Sequence, residues 1–155
     1  MSELAHTEKP LTDEEFAAFE RLFHGEIPLS FKRHYMADNG GSPSEEDVEA
    51  GKWGFPVHGF NPIKYGRVTI EELVERIGTI DPEDDKVGSW AKFSYIPFAH
   101  DAFANTIFLS LKDSDYSSVY ITNTSSHAPA GCSIYSSSFE EFRARVYQPS
   151  TDRRW

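Results

Sequence analysis

Cysteine occurs once in the 155 residues, at Cys132, so no internal disulfide can brace the fold, and the chain suits a reducing compartment. Basic residues are scarce as well: 15 Lys and Arg stand against 25 Asp and Glu, a formal charge of -10. Phosphate binding rests on neutralisation by Lys and Arg, so the deficit argues against nucleic acid and against an anionic membrane as partners, and in favour of a basic protein. No apolar run approaches the roughly 20 residues that a membrane-spanning helix needs. The opening MSELAHTEKP has neither the basic nor the apolar region of an export signal, and the expected location is the cytoplasm. Metal-ligand spacings are missing: the histidines at 6, 24, 34, 58, 100 and 127 form no His-x-x-x-His pair, and a lone cysteine cannot make Cys-x-x-Cys. Asn39-Gly40-Gly41 lacks the Lys and the strand-loop-helix frame of a phosphate loop. Neither a cofactor nor a metal is therefore implied.

What the chain does have is rings. Hydrophobic residues make up 39% and aromatics 14%, with 12 Phe, and the mean hydropathy of -0.51 is that of a soluble globular protein with a core built largely from aromatic side chains. The length fits one domain, placed at 12–148 between short tails at 1–11 and 149–155, and is enough to bury a core without metal or disulfide support.

Three helix starts share one chemistry, in which a Ser or Thr hydroxyl caps backbone N–H groups and a Glu three residues on reaches back. The pairs are Thr12 with Glu15, Thr69 with Glu72, and Ser138 with Glu141. Leu11 can staple to Phe16 and Val68 to Leu73. The first helix is predicted over 13–24, burying Phe16, Phe19, Leu22 and Phe23 and stopping at Gly25. The second buries Ile70, Leu73, Val74 and Ile77 before Gly78, and the third buries Phe139, Phe142 and Val146 before Pro149. Another short helix starts with Pro28 at its first position, uses Leu29, Phe31, Tyr35 and Met36 as apolar positions, and leaves through a left-handed Asn39-Gly40. The acidic SPSEEDVEAG that follows reads as a solvated connection.

Strand patterns fill the rest. Residues 53–60 are aromatic but broken by Gly and Pro, an irregular or edge strand. Residues 106–111 alternate cleanly, Ile107, Leu109 and Leu111 against Thr106, Phe108 and Ser110, and 119–122 and 132–135 repeat the pattern. Short connections favour antiparallel pairing, so the expected fold is α+β: a meander sheet with helices packed on one face. Residues 95–99 and 106–111 are then neighbouring strands joined by His-Asp-Ala-Phe-Ala-Asn. Pro97 lacks a donor and belongs at an edge or a bulge, and Asp101 is placed to accept bonds from nearby backbone N–H groups.

In order, these pieces resemble the SMI1/KNR4 family, the SUKH superfamily. The residues that carry the resemblance are Ile27-Pro28 with Phe31 and Tyr35, Asn39-Gly40-Gly41, Ile96-Pro97-Phe98-Ala99 with Asp101, the apolar strand 107–111, and Ser138-Phe139-Glu140-Glu141-Phe142. The match runs over roughly 12–147. In place of the family's Gly-rich turn this chain has Ala102-Phe103-Ala104-Asn105, so the turn must differ in shape or leave a positive φ to Asn105. The resemblance implies a non-enzymatic bacterial immunity protein that neutralises a cognate toxin, often a nuclease. It also implies an alternative, an intracellular scaffold or regulator like fungal members. Those carry long disordered extensions, whereas this chain ends within a few residues of its last helix, which favours the immunity reading.

Catalysis would need a nucleophile, a base and an orienting group, and Cys132 with His127 or His100 and Asp101 could be assembled only on paper. Cys132 sits in an alternating strand beside Ile134, the setting of a small buried hydrophobe. Surface chemistry remains. Acidic stretches occur at Glu45-Glu46-Asp47 with Glu49, at Asp81, Glu83, Asp84 and Asp85, and at Asp113 and Asp115, with the rings of Trp53, Phe60, Trp90 and Phe103 near them in sequence. Aromatic anchors inside an acidic rim suit a basic protein partner, although each ring taken singly fits the core better, Phe103 between its alanines excepted. The candidate partner-binding residues are Asp101, Phe103, Asn105, Trp53, Glu45, Glu46, Asp47, Asp84 and Asp85, and the expected oligomeric state is a monomer or weak dimer.

Overall fold

The computed structural model describes residues 4–53, 57–77, 94–102, 105–122 and 132–147. It opens with β1 (Leu4–Ala5) and runs through α1 (Asp13–Glu20), α2 (Leu29–Ala37), β2 (Ser42–Pro43), α3 (Glu45–Glu49), β3 (Gly59–Phe60) and α4 (Ile70–Ile77). The second half is β4 (Tyr95–His100), β5 (Thr106–Ser110), β6 (Val119–Thr122), β7 (Cys132–Ser136) and α5 (Phe139–Val146). Five strands form one antiparallel sheet in the order β3-β4-β5-β6-β7, a meander, and β1 pairs with β2 in a small second sheet. The domain is thus α+β.

The helix caps form where the side chains require them, with local variations. Thr12 and Glu15 close a complete box: the Glu15 N–H donates to the Thr12 hydroxyl at 3.1 Å, and the Thr12 N–H donates to the Glu15 carboxylate at 2.9 Å. Thr69 accepts from the Glu72 N–H at 3.2 Å. Ser138 accepts from the Glu141 N–H at 3.1 Å, but the Glu141 carboxylate turns to Ser137, whose hydroxyl donates at 2.6 Å. Helix α1 is shorter than the sequence pattern predicts. It ends at Glu20, and the chain tightens into turns in which Leu22 and Phe23 donate three residues back, to Phe19 and Glu20; this keeps Phe23 buried without continuing the helix.

Two expectations about α2 change. Pro28 is the cap rather than the first helical residue, and Leu29 is 59% exposed. The buried stripe is Phe31, His34 and Tyr35, and Leu29 lies two residues, about 200° of helical rotation, from Phe31. The exit is also different in detail: Asp38 is extended, Gly40 and Gly41 take φ of 81° and 102°, and Asn39 serves through its side chain instead. The Asn39 amide donates to the carbonyls of Lys9 and Lys64, and its oxygen accepts from the Ile63 N–H at 2.9 Å. A Cβ at Gly41 would lie 2.7 Å from the Ala5 carbonyl oxygen, so the glycine is what lets β1 approach β2 this closely. The expected loop after it contains α3: Ser44 accepts from the Asp47 N–H at 3.2 Å, and three carboxylates in the first turn favour the helix dipole.

The core is a single cluster in which Phe16 and Phe19 of α1, Phe31 and Tyr35 of α2, and Phe139 and Phe142 of α5 meet Ile96, Phe98, Ile107 and Leu109 of the sheet. Phe98 sits at its centre, with the rings of Phe31, Phe139 and Phe142 at 5.9, 5.4 and 5.3 Å, all edge-on, the arrangement that ring quadrupoles favour. β4 is an interior strand, so Pro97 is tolerated by a bulge: the register shifts between Pro97 and Ala99, and Phe98 and Ala99 are both fully buried. The carbonyls that the bulge releases are taken up by Asn61, whose N–H donates to Phe98 at 2.8 Å and whose amide donates to Pro97 at 3.0 Å. On the opposite sheet face Phe108 packs at 5.4 Å from both Tyr95 and Tyr120 and is only 2% exposed. Gly78 and Pro149, the expected stops of α4 and α5, lie outside the described residues.

Candidate functional site

The thiol arrangement that could be assembled only on paper is not brought together on the described backbone. Thr106 pairs with His100 and Thr122 with Cys132, so His100 and Cys132 are separated by β5 and β6, about 14 Å at the usual strand spacing. His127 lies outside the described residues. The Asp101 carboxylate is buried and tied within its own turn, accepting from the Asn105 N–H at 2.8 Å and from the Asn105 amide at 2.9 Å. Among the described residues no group of three or more His, Cys, Asp or Glu is placed to hold a metal ion.

The other candidates are scattered by the fold. Trp53 is 9% exposed and packs on Tyr147 at 4.7 Å and Phe60 at 6.2 Å, so it is a core ring rather than a surface anchor. Phe60 is likewise core. Asp115 is engaged inside the domain, accepting from the hydroxyls of Ser110 at 2.5 Å and Tyr120 at 2.6 Å. Glu45 and Glu46 are exposed on α3, with Asp47 half-buried beside them and 3.5 Å from the Lys52 ammonium. Phe103, Trp90, Asp81, Glu83, Asp84 and Asp85 lie outside the described residues. Among the described candidates the structure brings together the α3 carboxylates and, separately, Asp101 with Asn105.

Of the α3 carboxylates, Glu45 borders a concave surface at the β3 edge of the sheet. Phe60 donates to the Gly41 carbonyl at 2.7 Å, which docks the small β1/β2 sheet on that edge. Two clefts adjoin there, both lined by His6, Ser42 and His58. One, of about 340 Å³, is bounded by Glu8, Arg67, Val68 and His100. The other, of about 780 Å³, has Ala5, Pro43, Val48 and Val57 as apolar lining and Glu45 beside them. Val68, expected to staple to Leu73, is 42% exposed and Val48 is 51% exposed. The His100 ring lies over Gly59, where a Cβ would come within 2.9 Å of its Cε1, and it stands 5.7 Å from the His58 ring. Burial first, then the His58 charge, pushes the His100 imidazole below its ordinary range, with Asp101 opposing. His6 takes a left-handed φ of 56° at the shared wall.

Local sequence pattern does not reveal this surface. His6, His58 and His100 are far apart in sequence, and only the pairing of β3 with both Gly41 and β4 brings them to one place. Val48 did carry a signal: it is the lone large aliphatic in an acidic run. The larger cleft offers aliphatic contact from Val48 and Val57 and carboxylate charge from Glu45, which are the means of recognition.

A model of the SMI1 / KNR4 family (SUKH-1) matches residues 10–145. No curated protein matches the chain.

Proposed function

Because the chain belongs to the SMI1/KNR4 (SUKH-1) family, a family of immunity-protein type, we propose that it is an immunity protein that binds and neutralises a cognate toxin. The observation that carries the reading is the family match over 10–145 joined to a net charge of -10. A toxin that cleaves nucleic acid must present Lys and Arg to phosphate. An acidic protein surface competes for the same groove, is drawn to it at long range, and excludes the substrate sterically, with no covalent step. A stable complex of this kind buries about 800 Å² on each partner. No ligand other than the toxin and no cofactor enters the mechanism.

The test is genetic and direct. The C-terminal domain of a large open reading frame found next to this gene would be expressed in a sensitive host with and without this chain. Growth restored only by co-expression supports the reading. A toxic domain that binds no part of this chain and kills equally in its presence contradicts it, and would favour the scaffold alternative.

A further inference from the structure

Resting on that reading, we propose that the larger cleft is the docking groove for a cationic polypeptide segment that inserts one aliphatic side chain against Val48. Four large apolar residues are exposed among the described residues, Leu29, Val48, Val68 and Tyr116, and two of them, Val48 and Val68, line the adjoining clefts. Such clustering beside a concavity marks a contact surface, whereas single exposed apolar residues need no explanation. Val48 shares its cleft with Ala5, Pro43 and Val57, an apolar floor, and the volume of about 780 Å³ is within the range of ligand clefts.

Charge selects the occupant. Helix α3 reads Glu-Glu-Asp-Val-Glu, so Val48 is flanked by carboxylates on its own helix. Of these Asp47 is paired with Lys52, while Glu45, Glu46 and Glu49 make no ion pair among the described residues. Lysine or arginine on either side of an inserted aliphatic group would meet them. A second copy of this chain would set the same carboxylates against one another, which is unfavourable, and nucleic acid or an anionic bilayer would be repelled. The groove thus supplies what a bare acidic patch lacks, an apolar anchor point that fixes where on the surface a basic partner sits.

The test uses the full chain, isotopically labelled, and a short synthetic peptide of alternating lysine and arginine with one central leucine, followed by NMR. Amide shifts should concentrate at 42–48 and 57–58. Val48→Arg should weaken the peptide about tenfold, the worth of one buried aliphatic contact. Leu29→Arg, an equal change of charge at an exposed residue that lines neither cleft, should weaken it less than about twofold, since only long-range attraction is altered. Replacing the peptide's leucine with serine should reproduce the Val48→Arg loss. Equal weakening by both variants, shifts centred elsewhere, or self-association of the chain abolished by Val48→Arg would each overturn the proposal. Toxin neutralisation that survives Val48→Arg removes the groove but leaves the immunity reading; failure of rescue by the parent chain, with the peptide still mapping to the groove, removes only the latter.

Discussion

Tyr35 points its hydroxyl at the carbonyls of Asn61 and Phe98, at 2.8 and 2.9 Å, from a fully buried position. Burial pushes the phenol well above its ordinary range, so it remains a donor at every physiological pH. Phe98 keeps a second donor in the Asn61 N–H, but the Asn61 carbonyl depends on Tyr35 among the bonds described here. Tyr35→Phe should therefore cost about 1–3 kcal/mol, the penalty for an unsatisfied buried acceptor; urea unfolding measures it, and a loss below about 0.5 kcal/mol would be that of an ordinary surface change. His34 makes a different prediction. Its imidazole is enclosed by the rings of Phe60, Tyr35 and Phe139, and burial, with help from the Arg143 charge, pushes it down to about 3. Between its ordinary value and about 3 the unfolded chain takes up a proton that the native state refuses. Stability is accordingly full above about pH 6.5 and falls as pH drops toward 3, with roughly 2–3 kcal/mol of the loss at pH 4.5 due to this residue. His34→Leu should lose less stability between pH 7 and pH 4.5 than the parent, and identical losses would show that other groups govern the acid limb.

At the scale of elements, what the sequence made legible was local. Thr12, Thr69 and Ser138 cap their helices because a hydroxyl and the N–H it binds lie three residues apart, a relation independent of the rest of the fold. Thr12→Ala should cost about 1 kcal/mol, read as a lower midpoint of thermal or urea unfolding, and an unchanged midpoint would mean that tertiary packing alone sets α1. The alternating segments likewise placed β5, β6 and β7 and their antiparallel order. Less legible were features set by partners distant in the chain. Nothing near Pro97 says that Asn61 will collect the carbonyls of the bulge, and nothing near Asn39 says that its amide will join Lys9, Ile63 and Lys64. β1 and β2 are two residues each and carry no periodicity. Trp53 looked like a surface anchor by its acidic neighbours, yet it forms a bridge to Tyr147 and packs inward.

The whole molecule presents two faces of one composition. Among the described residues most rings pack in the core and few carboxylates are buried, so attraction over a distance should be governed by charge and residence by local contact. The rate of association with a basic toxin domain should fall by at least about tenfold between 50 mM and 500 mM salt, as screening shortens the reach of the field. Stopped-flow mixing reads this, and a dissociation rate nearly indifferent to salt should accompany it. The central claim is that the protein acts by occupying its partner and is not a catalyst. Titrating a fixed amount of active toxin domain with this chain measures that most directly. Inhibition should rise linearly and break at one equivalent, with intact toxin recovered when the complex is taken apart. Complete loss of toxin activity far below equivalence, or recovery of chemically altered toxin, would contradict it.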